Sequence, residues 1–310
     1  MNRLARNLQD LYYRQFNGVI SLMGGINNPG RSYALAQLFG EVRTRFGYVG
    51  RGWSRETYLK TIRTILPDIS DAKADELLKA YWVNHQKRFI ELFLMRKLTS
   101  ENLSTVVTFE GADQLHAALE RGKGVILPVP HIGNERLHHI ALAVKGFPLA
   151  VISSHYDDHG PYARKIKLEA SQRFHEVGHP GDVKWLLRML KQNRILQVAC
   201  DAEADANGVV VEFLGQQVLL PTGWVRLAQM TGAAIFPSAL LRQADNRHKL
   251  IVKPEFKLKT NGDRKDVLRD NVQEYMNVVS ELYLSRPDLV DWMSLTVRLD
   301  ETRDRVITES

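Results

Sequence analysis

The sequence predicts an α/β fold, with a mixed, mostly parallel sheet flanked by helices and an N-terminal helical extension. Three observations point there. From about residue 105, short apolar runs alternate with stretches of helical periodicity, the texture of strands joined by helices that pack on the sheet faces. Before that point the spacing is helical. And a chain of 310 residues with 44% hydrophobic content can bury a large core. No internal repeat or low-complexity linker interrupts it, so residues 1–97 read as the helical extension and 98–310 as one compact unit.

Within the extension, residues 57–65 and 72–97 show helical spacing, with Leu77, Leu78, Tyr81, Trp82, Ile90, Phe93 and Leu94 as inward positions. Asp68, Ser70 and Asp71 punctuate between them as cap-type residues. Strands are expected at 105–109, 125–129, 149–153, 195–200, 209–213, 234–239 and 249–252, where short β-branched or apolar runs are bounded by Gly, Pro, Asn or Asp. Helices are expected at 112–121, 136–145, 162–177, 182–192, 223–231 and 266–286, where apolar residues recur every three or four positions.

Cysteine usage, charge and hydropathy narrow the function class. Cys200 is the single cysteine, so the chain holds no internal disulfide and no cysteine-based zinc site, which fits a reducing, cytoplasmic compartment. It lies in the apolar run 195–200 and reads as a small buried residue, not a nucleophile. No stretch reaches the roughly 18–20 apolar residues of a membrane-spanning helix, and Met1-Asn-Arg-Leu-Ala-Arg is followed by no signal-type apolar core. A net charge of +7 suits anionic lipid head groups, an acidic carrier protein or nucleic acid. No nucleic-acid-binding motif supports the last. There is no Walker loop, dinucleotide glycine motif or Gly-x-Ser-x-Gly elbow, and Ser153 and Ser154 lack a nucleophile's context.

The most informative stretch is Gly122-Lys-Gly-Val-Ile-Leu-Pro-Val-Pro-His131-Ile-Gly133-Asn134-Glu135. A short apolar strand delivers a histidine into a Gly-containing turn, and helical spacing resumes through Leu137, Ile140, Ala141 and Val144. Loops at strand C-termini line the crevice of open α/β sheets, and a helix N-terminus favours developing negative charge. The competing reading is a histidine that merely caps the turn.

Flanking segments decide between them. Upstream lie Leu98-Thr-Ser-Glu-Asn-Leu103 and Val107-Thr-Phe109-Glu-Gly111; downstream come Asp201-Ala-Glu203, Val211-Glu-Phe213-Leu-Gly215, Pro221-Thr222-Gly223-Trp-Val-Arg226-Leu227-Ala228 and Phe236-Pro237. In order and spacing, across about residues 90 to 300, the chain resembles the lipid A late-acyltransferase family, a branch of the lysophospholipid acyltransferase superfamily. The resemblance implies a glycerolipid-acyltransferase-like fold and an enzyme that moves an acyl chain from an acyl-carrier-protein or acyl-CoA thioester to a hydroxyl or amine of a lipid, glycolipid or metabolite. It implies no cofactor beyond that acyl-ACP or acyl-CoA co-substrate, no metal and no nucleic acid. His131 becomes the general base. Asn134, Gly215, Thr222, Gly223 and Arg226 become substrate-binding residues, with Arg164 and Arg173 from a basic segment. Independently, the backbone N–H groups of Thr222 and Gly223, with Arg226 one turn in, make a reasonable anion cradle; an ordinary turn with a surface arginine is the plainer reading. Family members commonly carry an N-terminal membrane anchor, so this chain resembles a soluble or surface-bound relative, cytoplasmic or peripheral on the inner face of the cytoplasmic membrane.

One departure matters. The family pattern is His-x-Gly-Asn-Trp-Glu, but here the fifth position after His131 is Arg136 and the glutamate comes one place early, at Glu135. A neutral imidazole takes the proton from the attacking hydroxyl, and a carboxylate on its other nitrogen fixes the tautomer and stabilises the imidazolium. On a helix, i+4 faces residue i and i+5 does not, which makes Glu135 the leading partner. His131 precedes the helix, however, so Glu203 or Asp201 from the next strand end are alternatives. The pair His131–Glu135, with Glu203, is the catalytic expectation. Arg136 also motivates a second class of function: a catalytically inactive relative that binds lipid or carrier protein as a scaffold.

A third class, a metal-dependent hydrolase, rests on His131, His155 and His159, with His175 and His179 following. Asp157, Asp158 and the Gly160-Pro161 ending make this stretch loop-like, and a substrate-facing loop is the preferred reading. His138 and His139 read as helix-surface residues beside the site.

Overall fold

The computed structural model describes residues 29–46, 54–152, 176–202, 204 and 207–309, along with five single positions nearer the N-terminus. Helices α1 (Pro29–Phe46), α2 (Arg55–Ile65) and α3 (Asp71–Leu94) come first. Ser54 and Ser70 cap α2 and α3, each hydroxyl accepting from the amide three residues on, which answers donors that a first turn leaves open. Beyond Leu94 the helix expected to run to 97 tightens into a 3-10 turn, Met95–Lys97.

The remaining elements alternate as expected: α4 (Leu103–Val106), β1 (Val107–Glu110), α5 (Asp113–Leu119), β2 (Val125–Val129), α6 (Glu135–Val144), β3 (Leu149–Ile152), β4 (Glu176–Gly178), α7 (Val183–Lys191) and β5 (Ile195–Ala199). Then follow β6 (Val209–Phe213), β7 (Gln216–Leu220), α8 (Gly223–Thr231), β8 (Ala234–Ile235), β9 (Ser238–Arg242), β10 (His248–Val252), α9 (Arg264–Ser285), a 3-10 turn (Pro287–Leu289) and α10 (Trp292–Glu309). Among the described residues no helix is long and apolar enough to cross a membrane.

The centre is a five-stranded, all-parallel sheet in the order β4-β3-β5-β2-β8. Beside it β1, β10 and β9 form a three-stranded sheet, parallel at β1–β10 and antiparallel at β10–β9. All five residues of β2 are buried, as a strand covered on both faces requires. Its side chains alternate between two apolar clusters. Ile126 belongs to one, with Trp82, Val198 and Val272, whereas Val125, Leu127 and Val129 belong to the other, with Leu137, Ile140 and Leu250. Helices α2 and α3 belong to the first cluster through Tyr58, Ile62 and Leu78, alongside Tyr275 of α9 and Trp292 of α10.

Several elements differ from the sequence reading. The strand expected at 105–109 is a helical turn to Val106; β1 is fixed instead by its parallel register with His248–Ile251. The run 234–239 breaks at Phe236-Pro237 into β8 and β9, strands of two different sheets, and proline's missing N–H suits that break. Residues 216–220 form β7, which pairs with β6 across a two-residue turn with Leu214 at φ 54° and Gly215 at φ 71°. The helix expected at 162–177 lies almost wholly outside the described residues, and its last positions, 176 and 177, are strand.

The turn after β2 leaves no freedom at Gly133. Its φ is 71°, and an added Cβ would stand 1.9 Å from the Leu240 carbonyl oxygen. Gly133→Ala should therefore destabilise the fold by at least about 2 kcal/mol in urea denaturation. A variant as stable as wild type would show that the turn adapts.

Candidate active site

The turn between β2 and α6 is held by backbone bonds from two distant segments. The His131 carbonyl accepts from the Asp291 amide at 2.9 Å, and the Gly133 amide donates to Leu289 O at 2.9 Å, with Ile132 and Val290 in an antiparallel bridge between them. On the other side the Asn134 amide donates to Leu240 O at 3.2 Å. Asn134 then caps α6, its Oδ1 accepting from the amides of Arg136 and Leu137 at 3.2 and 3.0 Å.

The carboxylate on the histidine is Asp201. Its Oδ1 lies 2.6 Å from His131 Nδ1, and its Oδ2 accepts from the His131 amide at 2.9 Å and from the Tyr283 hydroxyl at 2.6 Å. The sheet makes this meeting: Val129 of β2 pairs with Ala199 of β5, so His131 and Asp201 each stand two residues beyond a matched pair. Because a carboxylate only accepts, Nδ1 carries the proton and Nε2 is the nitrogen left for a substrate. The His131 side chain is 25% exposed and that of Asp201 only 7%. Burial alone would lower the imidazole's pKa, but the adjacent Asp201 anion outweighs it and raises the value to about 9. Burial pushes the Asp201 carboxyl upward; His131 and the Tyr283 hydrogen bond more than reverse this, and it stays below the usual range.

Glu135 does not hold the ring. Its carboxylate accepts from Arg88 Nη1 at 3.2 Å, and Arg88 Nη2 donates to Asp291 Oδ2 at 2.8 Å. The expected His131–Glu135 bond is thus replaced by His131–Asp201. Glu135 is the first residue of a helix whose N-cap is Asn134, so the i+4 argument, which needs both residues on one helix, does not apply. Arg136 is 40% exposed, with Nε 3.7 Å from Glu135.

Asn134, expected to meet substrate, is buried and donates to Glu91 Oε2 at 2.7 Å. Glu91 also binds Arg242 and accepts from the Tyr33 hydroxyl at 2.9 Å. Gly215 forms the β6–β7 turn. Thr222 and Gly223 open α8, where Arg226 Nε donates to Thr222 Oγ1 at 3.0 Å and Thr222 Oγ1 donates to Asn207 O at 3.1 Å. Glu203, Arg164, Arg173, His155, His159 and His175 lie outside the described residues. Among the described residues no cluster suited to a metal ion occurs. Cys200 is fully buried, and burial, then Asp201, pushes its thiol pKa up.

His138 and His139 are not surface residues but are buried. His138 bridges Gln197 Oε1 at 2.8 Å and Ser238 Oγ at 2.7 Å, and burial lowers its pKa to about 4. The residues that sequence reasoning missed are Arg88, Asp291 and Tyr283.

The charged pair has a stability signature. The folded-state pKa of His131, about 9, lies above the roughly 6.5 of a free imidazole. Its contribution is therefore complete below about pH 6.5 and is lost as pH climbs through about 9. Asp201→Asn removes the anion responsible. The stability gap between wild type and variant should be wider at about pH 6 than at about pH 10, by on the order of 2 kcal/mol in urea denaturation. Equal gaps would contradict an ionised pair.

The family described as bacterial lipid A biosynthesis acyltransferase matches residues 21–296. The phosphatidylinositol mannoside acyltransferase of Mycolicibacterium smegmatis is 24% identical over 194 residues, which is 61% of this chain and 64% of that protein. The protein of the same name from Mycobacterium tuberculosis (strain CDC 1551 / Oshkosh) is 25% identical over 197 residues, 62% of each. The alignments therefore span a little under two thirds of these relatives. The crystal structure of the 1-acyl-sn-glycerophosphate acyltransferase from Thermotoga maritima aligns over 81% of this chain and 96% of its own at 12% identity, with a TM-score of 0.35. Matched along most of its length, the chain belongs to the bacterial lipid A biosynthesis acyltransferase family.

Proposed function

We propose that this chain transfers an acyl group from an acyl-carrier-protein or acyl-CoA thioester to a hydroxyl of a lipid or glycolipid, with His131 as general base and Asp201 as its orienting carboxylate. The observation that carries this reading is the His131–Asp201 contact at adjacent strand ends. Neutral His131 accepts the acceptor hydroxyl's proton at Nε2 as the oxygen attacks the thioester carbonyl. Collapse of the tetrahedral adduct breaks the C–S bond, and the imidazolium returns the proton to the departing thiolate. Asp201 stays ionised throughout and stabilises the imidazolium. Direct transfer within a ternary complex is the route proposed, with His131 as base and the buried Cys200 withheld as a nucleophile.

The relatives named for phosphatidylinositol mannosides support a glycolipid acceptor. A net charge of +7 supports attraction to anionic head groups or to an acidic carrier, and hence a peripheral place at the cytoplasmic membrane face. Arg136, at the position of the family's carboxylate, favours a scaffold that no longer catalyses. Asp201 on the ring favours activity, since it supplies the missing carboxylate by another route.

His131→Ala should lower the rate of acyl transfer by about 10² to 10⁴, and Asp201→Asn should slow it far more than Glu135→Gln. Wild-type activity should rise toward high pH with a midpoint near 9 as the base form is populated. Thioester consumption with phosphatidylinositol mannoside as acceptor reads all of these. Unimpaired turnover by His131→Ala would remove the mechanism, and a wild type without turnover on any acyl thioester would leave the scaffold.

A further inference from the structure

The geometry points to Arg88 as a positioning residue of the site: it grips the two carboxylates beside His131 that do not touch its ring, and so holds the histidine's turn while screening their charge from the imidazole. This inference rests on His131 as the reactive group. Arg88 lies on α3, far from the turn in sequence, with its side chain 16% exposed. One guanidinium nitrogen binds Glu135 at 3.2 Å and reaches Gly133 O at 3.5 Å; another binds Asp291 at 2.8 Å. Asp291 is not a bystander, because its own amide donates to the His131 carbonyl at 2.9 Å. Arg88 thus ties the start of α6 to the C-terminal block that pairs with the histidine's backbone.

The charges around His131 come from every element packed on it. Asp201 stands at the end of β5, with the Tyr283 hydroxyl of α9 on its far oxygen. Glu135 and Arg136 open α6, and Asp291 follows the 3-10 turn. From α3, Tyr81 donates to Asp291 Oδ1 at 3.3 Å, and His85 lies close enough to favour the Asp291 anion. Both Glu135 and Asp291 raise the His131 pKa in addition to Asp201. Both are ionised, held below the usual carboxylate range against their burial, chiefly by Arg88. Without Arg88, the buried Asp291 and the partly exposed Glu135 would lose their shared cation and draw the imidazole's proton more strongly.

The test reads the His131 ring directly, by titrating the 15N-labelled imidazole in full-length protein, alongside kcat and KM for acyl transfer. Arg88→Met should move the ring's midpoint upward by about half a pH unit or more and lower kcat more than it changes KM. Arg88→Lys should bring the midpoint back toward wild type and restore part of kcat. A folded Arg88→Met protein with the wild-type midpoint overturns the proposal, whatever its kcat, because a merely architectural arginine would not shift the ring. Should Arg88→Met fail to fold, Asp291→Asn carries the test: losing that anion should lower the midpoint, and an unchanged value overturns the proposal. The ring titration needs no substrate, so a wild type that transfers nothing would sink the acyltransferase reading without touching this result.

Discussion

Burying an ionised carboxylate costs several kcal/mol unless its oxygens are answered, and Asp201 is answered completely. The His131 ring, the His131 amide and the Tyr283 hydroxyl all donate to it. One side chain therefore fixes both the orientation of an imidazole and the path of the backbone that carries it. Almost everything else near the site follows. The proton must sit on Nδ1, and the turn after β2 passes close enough to Leu240 that only glycine fits at 133.

Helix α3 completes the arrangement with charges that a helix face normally gives to solvent. Arg88 and Glu91, three residues apart, both point inward, one to Glu135 and Asp291, the other to Arg242 and the Asn134 cap. Removing one partner from such a buried pair typically costs 3–5 kcal/mol, because the remaining charge has no substitute for water. The networks therefore act more as a geometric specification than as a source of net stability. They allow one position of α3 against the turn, and that position brings the C-terminal block to the histidine's backbone. A residue as remote in sequence as Asp291 thereby becomes part of the site.

Local features were legible in the sequence, and pairings across the fold were not. The β2 strand, the histidine turn, the α6 helix and the Ser70 cap announce themselves in runs of a few residues, because hydrophobic period and capping chemistry are local. Asp201 was visible only as an alternative. Choosing it requires knowing that β5 lies beside β2, although β3 and β4 come between them in the chain. Glu135 drew the first choice through helical arithmetic that holds only once a helix has begun. His138 and His139 read as exposed because they are polar, yet α6 is covered on several sides and they are buried against Gln197 and Ser238. Arg88 left no trace, since a lysine–arginine stretch on a helix ordinarily faces water. Where the sequence also matched a family pattern, the missing carboxylate at position 136 looked like a loss. The fold places a carboxylate on the ring's Nδ1 from beyond the neighbouring strand.

Whether Asp201 has taken over the carboxylate's part on the His131 ring is read by a double-mutant cycle in kcat/KM. His131→Ala, Asp201→Asn and the double variant would be compared with wild type in acyl transfer, with folding confirmed for each. If Asp201 acts only through the His131 ring, the double variant should be about as slow as His131→Ala alone, because residues working as one unit are strongly non-additive. Losses that multiply would mean that the two groups act independently, and the pair would then be a structural contact, not the reactive centre.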